Sequence, residues 1–417
     1  MENFKKYSLS GNSGISGVYN INRYKLFFCV IFIFFIQIYC TAVVLADGTE
    51  FTCEPANDWT ALVDRTNGWI AGDGIYSFRL EDTNLAAKNG NKKIKIAFSF
   101  ADSMIGSVNL DGSYKNDLVM VNHCFATLDS NITPPAKPQL VFHYNTNSKG
   151  QPSNLFDRQY WLNDSITINS VLYTTGMVVD AKTWTTEGIW LLSIPIRDGQ
   201  LVFSEYKTKP VELIHRTNGY EVLFGIAICD QGNDIYVYGF RDKTGEMFYK
   251  RQLLVARTNR NNYGNTETWK FWTGKEWSNS IADCNTDEAA LTHGISNELS
   301  VTKMVGGTYD GKFILVYTEG CIGEKLNFAV SDSPFTPFTG TTTFYNCPEP
   351  KLFDDEVKKK YGPKAHVITY NAKAHPLLSN SGELIVSYNL NTWGLREGII
   401  FADKKYCFPR FVRLKLK

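Results

Sequence analysis

After residue 46 the chain consists of short aromatic and β-branched runs, separated by clusters of Gly, Asn, Asp and Pro, with almost no helical periodicity. Such runs are typical of strands, and the clusters are typical of turns. The clearest runs lie at 118–121, 139–144, 165–173, 188–196, 222–229, 235–240, 253–257, 299–305, 313–318, 326–331, 366–370, 383–389 and 411–416. The pattern predicts one short helix, around 353–361. The sequence therefore predicts an all-β protein.

Tight-turn signals join several of these runs into pairs. Turn residues at 230–234 and 309–312 separate two strand runs each, and 380–382 precede another run. Asp-Gly and Ser-Gly turns between such runs indicate hairpins. The pairs recur at a loose spacing of about 50 to 90 residues, which favours a five-bladed β-propeller over the alternative of a double sandwich. Because no Pro/Ser-rich linker interrupts the chain, we expect residues 47–417 to form a single propeller domain.

Charge and the N-terminus limit the class of protein. The 417 residues carry 43 Lys and Arg against 42 Asp and Glu, so the net charge of +1 gives no reason to expect nucleic acid as a partner. Residues 26–46 form an apolar run after Arg23 and Lys25, as in a signal peptide cleaved after Ala46. The run is also long enough for an uncleaved type II anchor, the only case in which we expect contact with a membrane. Both alternatives predict a secreted, extracellular or lumenal domain.

The sequons and cysteines after residue 46 are consistent with export from the cytoplasm. Sequons at Asn131 and Asn163 predict N-glycosylation. The seven cysteines after residue 46 have no metal-ligand spacing, and some of them are expected to pair as disulfides in an oxidising compartment.

Two aspartates point to a candidate site between Trp69 and Gly106. Asp73 lies inside the strand-like run at 72–78, and Asp102 follows the run at 94–100. An unpartnered buried carboxylate costs several kcal/mol, so such a residue must face water, a partner or a ligand. The segment at 69–75 is weakly repeated at 161–166, and the repeat places Asp164 in the position of Asp73.

Several phrases resemble a known family. NGWIAGDGIYSF, IAFSFADSMIG, QYWLND, DIYVYGF, LLVART, WKFWTGKEW, ISNELSVTK, YNAKAHPLLSNSGELIVSYNLN and FPRFVRLKL occur in this order from about residue 59 to 417. They resemble secreted five-bladed propeller proteins described as domains of unknown function. That family is similar in fold to the arabinanase and β-xylosidase clan of glycoside hydrolases.

The resemblance implies a sugar-binding pocket with carboxylates on the innermost strands. It makes Asp73 the base or nucleophile. Glu298, at the head of an apolar strand, is the candidate acid, with Glu187 as the alternative. Asp164 would be the third catalytic carboxylate, but a glycan on Asn163 would conflict with that role.

Further residues are candidates for substrate binding. The resemblance suggests His375 as a ligand of a cation, Ca²⁺ or another, in the central channel, although no cofactor is required. Asn371 and Lys373 alternate with His375 along one run and could bind sugar hydroxyls. Asp102 and His123 could also reach the pocket. Aromatic candidates for stacking on sugar rings are Trp69, Trp161, Trp393 and the cluster Trp269, Trp272 and Trp277.

Three functions remain open from the sequence. The first is a glycoside hydrolase that uses Asp73 and Glu298 on a poly- or oligosaccharide. The second is a carbohydrate-binding or cell-surface interaction propeller without catalysis, and the third is a structural surface protein. Convergence of the candidate carboxylates in one place favours the first.

Overall fold

The computed structural model describes residues 43–44, 50–82, 94–128, 139–180, 182–183, 185–217, 219–244, 250–396 and 402–417. All of them lie in Cys40–Lys417, one of the two units into which the chain divides. The leader at 1–46 lies outside the described residues except for Val43 and Val44, and so does the sequon at Asn131. No helix within the described ranges is both long and apolar enough to cross a membrane.

Strands dominate the described chain, which confirms the predicted all-β fold. The strands are β1 (Val43–Val44), β2 (Glu50–Pro55), β3 (Asn67–Gly72), β4 (Tyr76–Arg79), β5 (Ile96–Phe100), β6 (Ser103–Ser107), β7 (Val119–Val121), β8 (Cys124–Leu128), β9 (Leu140–His143), β10 (Asn145–Thr146), β11 (Pro152–Ser153), β12 (Trp161–Ile168), β13 (Val171–Val179), β14 (Thr186–Arg197), β15 (Gln200–Leu201), β16 (Lys207–Val211), β17 (Ile214–Thr217), β18 (Tyr220–Gln231), β19 (Asp234–Lys243), β20 (Gln252–Asn259), β21 (Lys270–Trp272), β22 (Trp277–Ser278), β23 (Leu299–Lys303), β24 (Phe313–Thr318), β25 (Lys325–Ser331), β26 (Thr339–Asn346), β27 (His366–Ala374), β28 (Glu383–Trp393) and β29 (Arg410–Leu416). The α-helices are α1 (Asn57–Val63) and α2 (Glu349–Tyr361). Short 3-10 turns occupy Phe203–Glu205, Arg260–Asn262, Thr266–Thr268, Ile281–Cys284, Pro376–Leu378 and Lys404–Tyr406.

Most strands belong to antiparallel sheets of four or more strands. In the described chain these sheets have the orders β4-β5-β8-β9, β12-β13-β14-β16, β17-β18-β19-β20-β21-β22, β23-β24-β25-β26 and β27-β28-β29-β2-β1, and β15 pairs with the end of β14. The smaller sheets are β3-β6-β7 and β10-β11. Neighbouring large sheets share apolar cores: one cluster contains Leu191 of β14, Val237 of β19 and Leu315 of β24. Burial of these faces is the main source of stability for the stacked sheets.

One strand from each large sheet faces a common centre. Strand β12 packs against β4 and β18, and β23 packs against β18 and β27. The five strands β4, β12, β18, β23 and β27 together line one cavity. We call them the inner strands. The sheet that contains β27 is completed by an early part of the chain, because β2 pairs with β29 from Phe51 opposite Leu416 to Pro55 opposite Val412.

Two predicted strands are divided in the structure. Residues 165–173 form parts of β12 and β13, because Asn169 and Ser170 adopt positive φ angles of 50° and 61° and make a tight turn. Residues 72–78 are divided between β3 and β4, so Asp73 lies in a link between two sheets rather than inside a strand. The predicted helix at 353–361 is the second half of α2, and α1 was not predicted.

Six of the seven cysteines after residue 46 form no disulfide in the described part of the chain. Cys124, Cys229, Cys284, Cys321, Cys347 and Cys407 are buried thiols without a disulfide. Each is buried in the protein, where a free cysteine behaves as a small apolar side chain.

Candidate functional site

Asp73 is held in the link between β3 and β4 by backbone hydrogen bonds. Its N–H donates to the carbonyl of Asp102 (3.1 Å), and its carbonyl accepts from the N–H of Ala101 (2.8 Å). Gly74 has a φ of +62°, and a Cβ there would lie 2.6 Å from the Cβ of Ala101. Only glycine fits this close approach. The tight link leaves the Asp73 side chain partly exposed, and its Oδ2 accepts a hydrogen bond from the Tyr370 hydroxyl (2.7 Å).

Asp164 projects from an irregularity in the inner strand β12. The pairing of β12 with β13 shifts register between Leu162 and Ser165. The carboxylate accepts hydrogen bonds from the backbone N–H of Ser165 (2.8 Å) and, across to β18, from that of Ile228 (2.8 Å). A bulge of this kind turns a side chain away from the face that it would have in a regular strand. Asp164 therefore points towards the neighbouring inner strand.

Glu298 precedes the inner strand β23 and contacts two residues of β27. Its Oε1 accepts from the Asn371 side-chain amide (2.8 Å), and its Oε2 forms an ion pair with Lys373. Both donors lie at a second irregularity, where β27 shifts register between Tyr370 and Lys373 and Asn371 has a φ of +58°. The Lys373 side chain is only 1% exposed, and its ammonium lies 4.1 Å from the centre of the Tyr76 ring.

Burial and like charges perturb these carboxyl groups. Burial, together with the nearby charges of Asp102 and Glu298, raises the pKa of Asp73 to about 8 against the lowering effects of Tyr370 and Lys373. Burial also raises the pKa of Asp164 to about 7, although two backbone amides and Lys373 oppose it. The pKa of Asp102 is raised by burial, while a hydrogen bond from Asn122 (3.0 Å) opposes the shift. The single ammonium of Lys373 therefore lies among three carboxyl groups, Asp73, Asp164 and Glu298.

The inner strands enclose a cavity of about 260 Å³ next to this cluster. Its lining includes Asp164, Lys373 and Tyr76, whereas Asp73 and Glu298 are not part of the lining. Glu298 adjoins the cavity through its ion pair with Lys373. Asp73 and Glu298 are both only partly exposed.

His375 lines the cavity but is not arranged as a metal ligand. Its Nδ1 lies 3.0 Å from the Ser77 hydroxyl and its Nε2 lies 2.8 Å from the Ser387 hydroxyl. Burial, with a smaller effect of Lys373, lowers the pKa of His375 to about 3, so the ring is neutral. Both ring nitrogens are thus used inside the protein. The described residues contain no group of three or more His, Cys, Asp or Glu side chains that could hold a metal ion.

The structure places several predicted binding residues away from the cluster. Trp69 is buried between Phe100 and Phe142 and donates to the Ser103 hydroxyl (3.0 Å). His123 is buried, stacks on Phe156 at 4.7 Å and accepts a hydrogen bond from its backbone N–H (3.1 Å).

The remaining aromatic and acidic candidates also lie outside the cavity lining. Trp161 is partly buried and packs against the core between sheets. Trp269 is fully buried, while Trp272 and Trp277 pack on each other with ring centres 5.1 Å apart. Glu187 is exposed on β14, the third strand of its sheet.

The conflict between Asn163 and Asp164 is settled by burial. Asn163 is 1% exposed, and its amide donates to the Thr175 hydroxyl (3.1 Å). A glycan on this side chain would require the strand to open. Asn163 is therefore part of the core in the folded protein, and Asp164 is free of that conflict.

Tyr370 and Asn122 are site residues that the sequence did not reveal. Tyr370 bonds Asp73, and Asn122 bonds Asp102. Regular alternation along β27 would place Tyr370 on the opposite face from Asn371 and Lys373. The register shift that follows Tyr370 has no signal in the sequence, so the contact with Asp73 could not be predicted.

The family model described as "Domain of unknown function (DUF5005)" matches residues 56–416. The chain belongs to the DUF5005 family. This membership confirms the resemblance to proteins described as domains of unknown function. No curated protein matches this DUF5005 chain.

Solved structures resemble this DUF5005 member at low sequence identity. A candidate hydrolase from Bacteroides ovatus has a TM-score of 0.64 at 18% identity, over 87% of this chain and 90% of that one. A GH43_1 enzyme from Xanthomonas citri has a TM-score of 0.39 at 13% identity, over 87% and 89%. The α-L-arabinofuranosidase PaAbf62A from Podospora anserina has a TM-score of 0.38 at 9% identity, over 84% and 97%. The first similarity indicates a shared fold.

Proposed function

We propose that the protein is a secreted glycoside hydrolase that cleaves a poly- or oligosaccharide with paired carboxyl groups. Residues 47–417 would form one five-bladed β-propeller, with the five large sheets as blades and the inner strands around its channel. The observation that carries the proposal is that Asp73, Asp164 and Glu298, from three distant parts of the chain, all interact with the buried Lys373. Glycosidases require two carboxyl groups in different protonation states on either side of the bond that breaks.

The contacts of Asp73 and Glu298 support one assignment of their catalytic roles. Asp73 has a pKa raised to about 8, as is typical of a general acid. Glu298 accepts hydrogen bonds from the Lys373 ammonium and the Asn371 amide, which suits a base or nucleophile. Asp73 would then give its proton to the leaving glycosidic oxygen, while water supplies the hydroxyl that the sugar gains. This assignment is the reverse of the one that the family resemblance implies.

The proposal is tested by incubating the purified protein with plant, fungal and bacterial polysaccharides and analysing the released oligosaccharides by chromatography. We expect a product, and we expect Asp73→Asn and Glu298→Gln each to reduce its formation by about 100- to 10,000-fold, the usual contribution of acid–base catalysis. Glu187→Gln makes the same chemical change at an exposed residue and should leave the rate unaffected. Retention on a polysaccharide without any product would instead support the non-catalytic binding propeller.

The pH dependence of the rate distinguishes the two assignments of roles. If Asp73 donates the proton, the initial rate falls as the pH rises through about 8, because the group is then ionised. Initial rates measured between pH 6 and 10 test this, with the range chosen to bracket that value by about two units on each side. A rate that increases over the same range would make Asp73 the base, as the resemblance implies.

A channel cation remains a prediction from the resemblance. The hydrogen bonds of His375 do not support ligation by that residue. No step of the proposed reaction depends on a metal.

A further inference from the structure

One face of the hairpin β27–β28 leads from Asp73 outwards to solvent. Residues directly opposite each other in an antiparallel pair present their side chains on the same face, and alternate residues share that face. Tyr370 is opposite Asn389, Ile368 is opposite Asn391, and His366 is opposite Trp393. These six side chains form a double row, which we call the hairpin row.

The inner end of the hairpin row is fixed to the candidate site. The Tyr370 hydroxyl donates to the Asp73 carboxyl group (2.7 Å), and the Asn389 amide donates to the carbonyl of Gly72 (3.3 Å). The next residue on β28, Asn391, donates to the Tyr370 hydroxyl (3.5 Å). Two side chains of the row therefore reach Asp73 or the residue before it, and a third is bonded to Tyr370.

Exposure increases along the hairpin row. Asn389 is fully buried, Asn391 and Ile368 are partly buried, and Trp393 is 53% exposed. Among the described tryptophans, Trp393 is the one with a large exposed surface, whereas Trp69 and Trp269 are enclosed in cores. An exposed aromatic ring that continues a row of hydrogen-bonding side chains suits a ligand with both apolar faces and hydroxyl groups.

We propose that the hairpin row is a binding subsite for a sugar chain, with Trp393 as the platform on which a distal sugar ring stacks. This inference rests on the proposed function, because it starts from Asp73 as the site of cleavage. Four residues separate Tyr370 from His366, so the row spans about 13 Å at the usual rise of a strand. That length exceeds the size of one sugar ring. The preferred substrate is therefore an oligosaccharide or polysaccharide chain rather than a single terminal sugar.

The test measures binding separately from cleavage. Arabino-, xylo- and cello-oligosaccharides of two to six units are titrated against the wild-type protein and Asp73→Asn, and binding is followed by tryptophan fluorescence and calorimetry. Stacking on Trp393 should change the fluorescence, and Trp393→Ala should abolish that change. We expect Trp393→Ala to weaken binding of the longest oligosaccharide about ten-fold more than that of the shortest, equivalent to about 1.4 kcal/mol.

Two further variants serve as controls for the binding measurements. Trp393→Phe keeps an aromatic ring and should retain most of the dependence on chain length. Leu352→Ala removes another exposed apolar side chain, 59% exposed on α2, and should have no effect on binding. Equal weakening at all chain lengths, or no binding of any oligosaccharide, would overturn the subsite. Length-dependent binding through Trp393 without any released product would instead contradict the hydrolase and leave the subsite in place.

Discussion

Replacing Lys373 with methionine is expected to lower the free energy of unfolding by about 3–5 kcal/mol at pH 8, as breaking a buried ion pair usually does. The ammonium is 1% exposed and is the cationic partner of Glu298. It also opposes the raised pKa values of Asp73 and Asp164. Without it, the carboxyl groups would repel one another in a largely buried site. Urea denaturation at pH 8 and pH 5 measures the change.

The loss should be smaller at pH 5, because Asp73 and Asp164, whose pKa values are raised to about 8 and about 7, are then protonated and the repulsion is relieved. Lys325→Met provides a matched control: Lys325 pairs with Glu319 at 3.2 Å, but both side chains are about half exposed. Exposed ion pairs contribute about 0–1 kcal/mol, so this variant should be nearly as stable as the wild type. A Lys373→Met protein as stable as the Lys325→Met protein would show that the three carboxyl groups do not depend on one cation.

Asp73→Asn is expected to stabilise the protein in alkaline solution while strongly reducing the proposed activity. The pKa of Asp73 is raised to about 8 in the folded protein from 3.8, chiefly by burial, so the folded state binds this proton more tightly than the unfolded state does. The resulting stability is fully present below about pH 4 and is lost as the pH rises through about 8. The side-chain amide of the Asp73→Asn variant does not ionise, so the variant does not lose this stability as the pH rises. At pH 9 the variant should therefore be more stable than the wild type by an amount on the order of several kcal/mol.

Thermal and urea unfolding of wild type and Asp73→Asn between pH 4 and pH 9 test this expectation. The two proteins should have similar stability at pH 4 and should diverge as the pH rises. Asp355→Asn, at an exposed position on α2, is the control for the substitution itself and should behave as the wild type throughout. If Asp73→Asn were destabilising at pH 9, then Asp73 would be ionised and well satisfied by its neighbours, contrary to its burial.

The sequence identified the strands and the candidate carboxylates of the site better than it identified their contacts. The hairpin turns at 232–233 and 310–312 follow from local residue types, and the structure has strands on both sides of each. Asp73 stood out because a carboxylate flanked by two glycines is unusual within an apolar run. Its partners Tyr370 and Lys373 lie about 300 residues further along the chain. Lys373 follows a register shift in β27 that no sequence pattern predicts.

Aromatic residues were the least predictable part of the site. Trp69 and Trp393 look alike in the sequence, since each is a tryptophan next to a glycine or a threonine in a strand-like segment. Trp69 is buried because the rings of Phe100 and Phe142 enclose it, and both partners come from other strands. Trp393 is exposed because it ends β28. Which tryptophan faces solvent depends on packing between strands, which composition and spacing do not contain.

The pairing of β2 with β29 has a mechanical consequence. Phe51 is opposite Leu416 at one end of the pair, and Pro55 is opposite Val412 at the other. A pulling force applied at Glu50 and Lys417 would act on the end at Phe51 and Leu416 and would break the hydrogen bonds one after another, as in a zipper, rather than all together. The seam between these two strands is therefore the point at which tension on the chain would first open the protein, whereas a load along the strands would meet the combined resistance of the whole ladder.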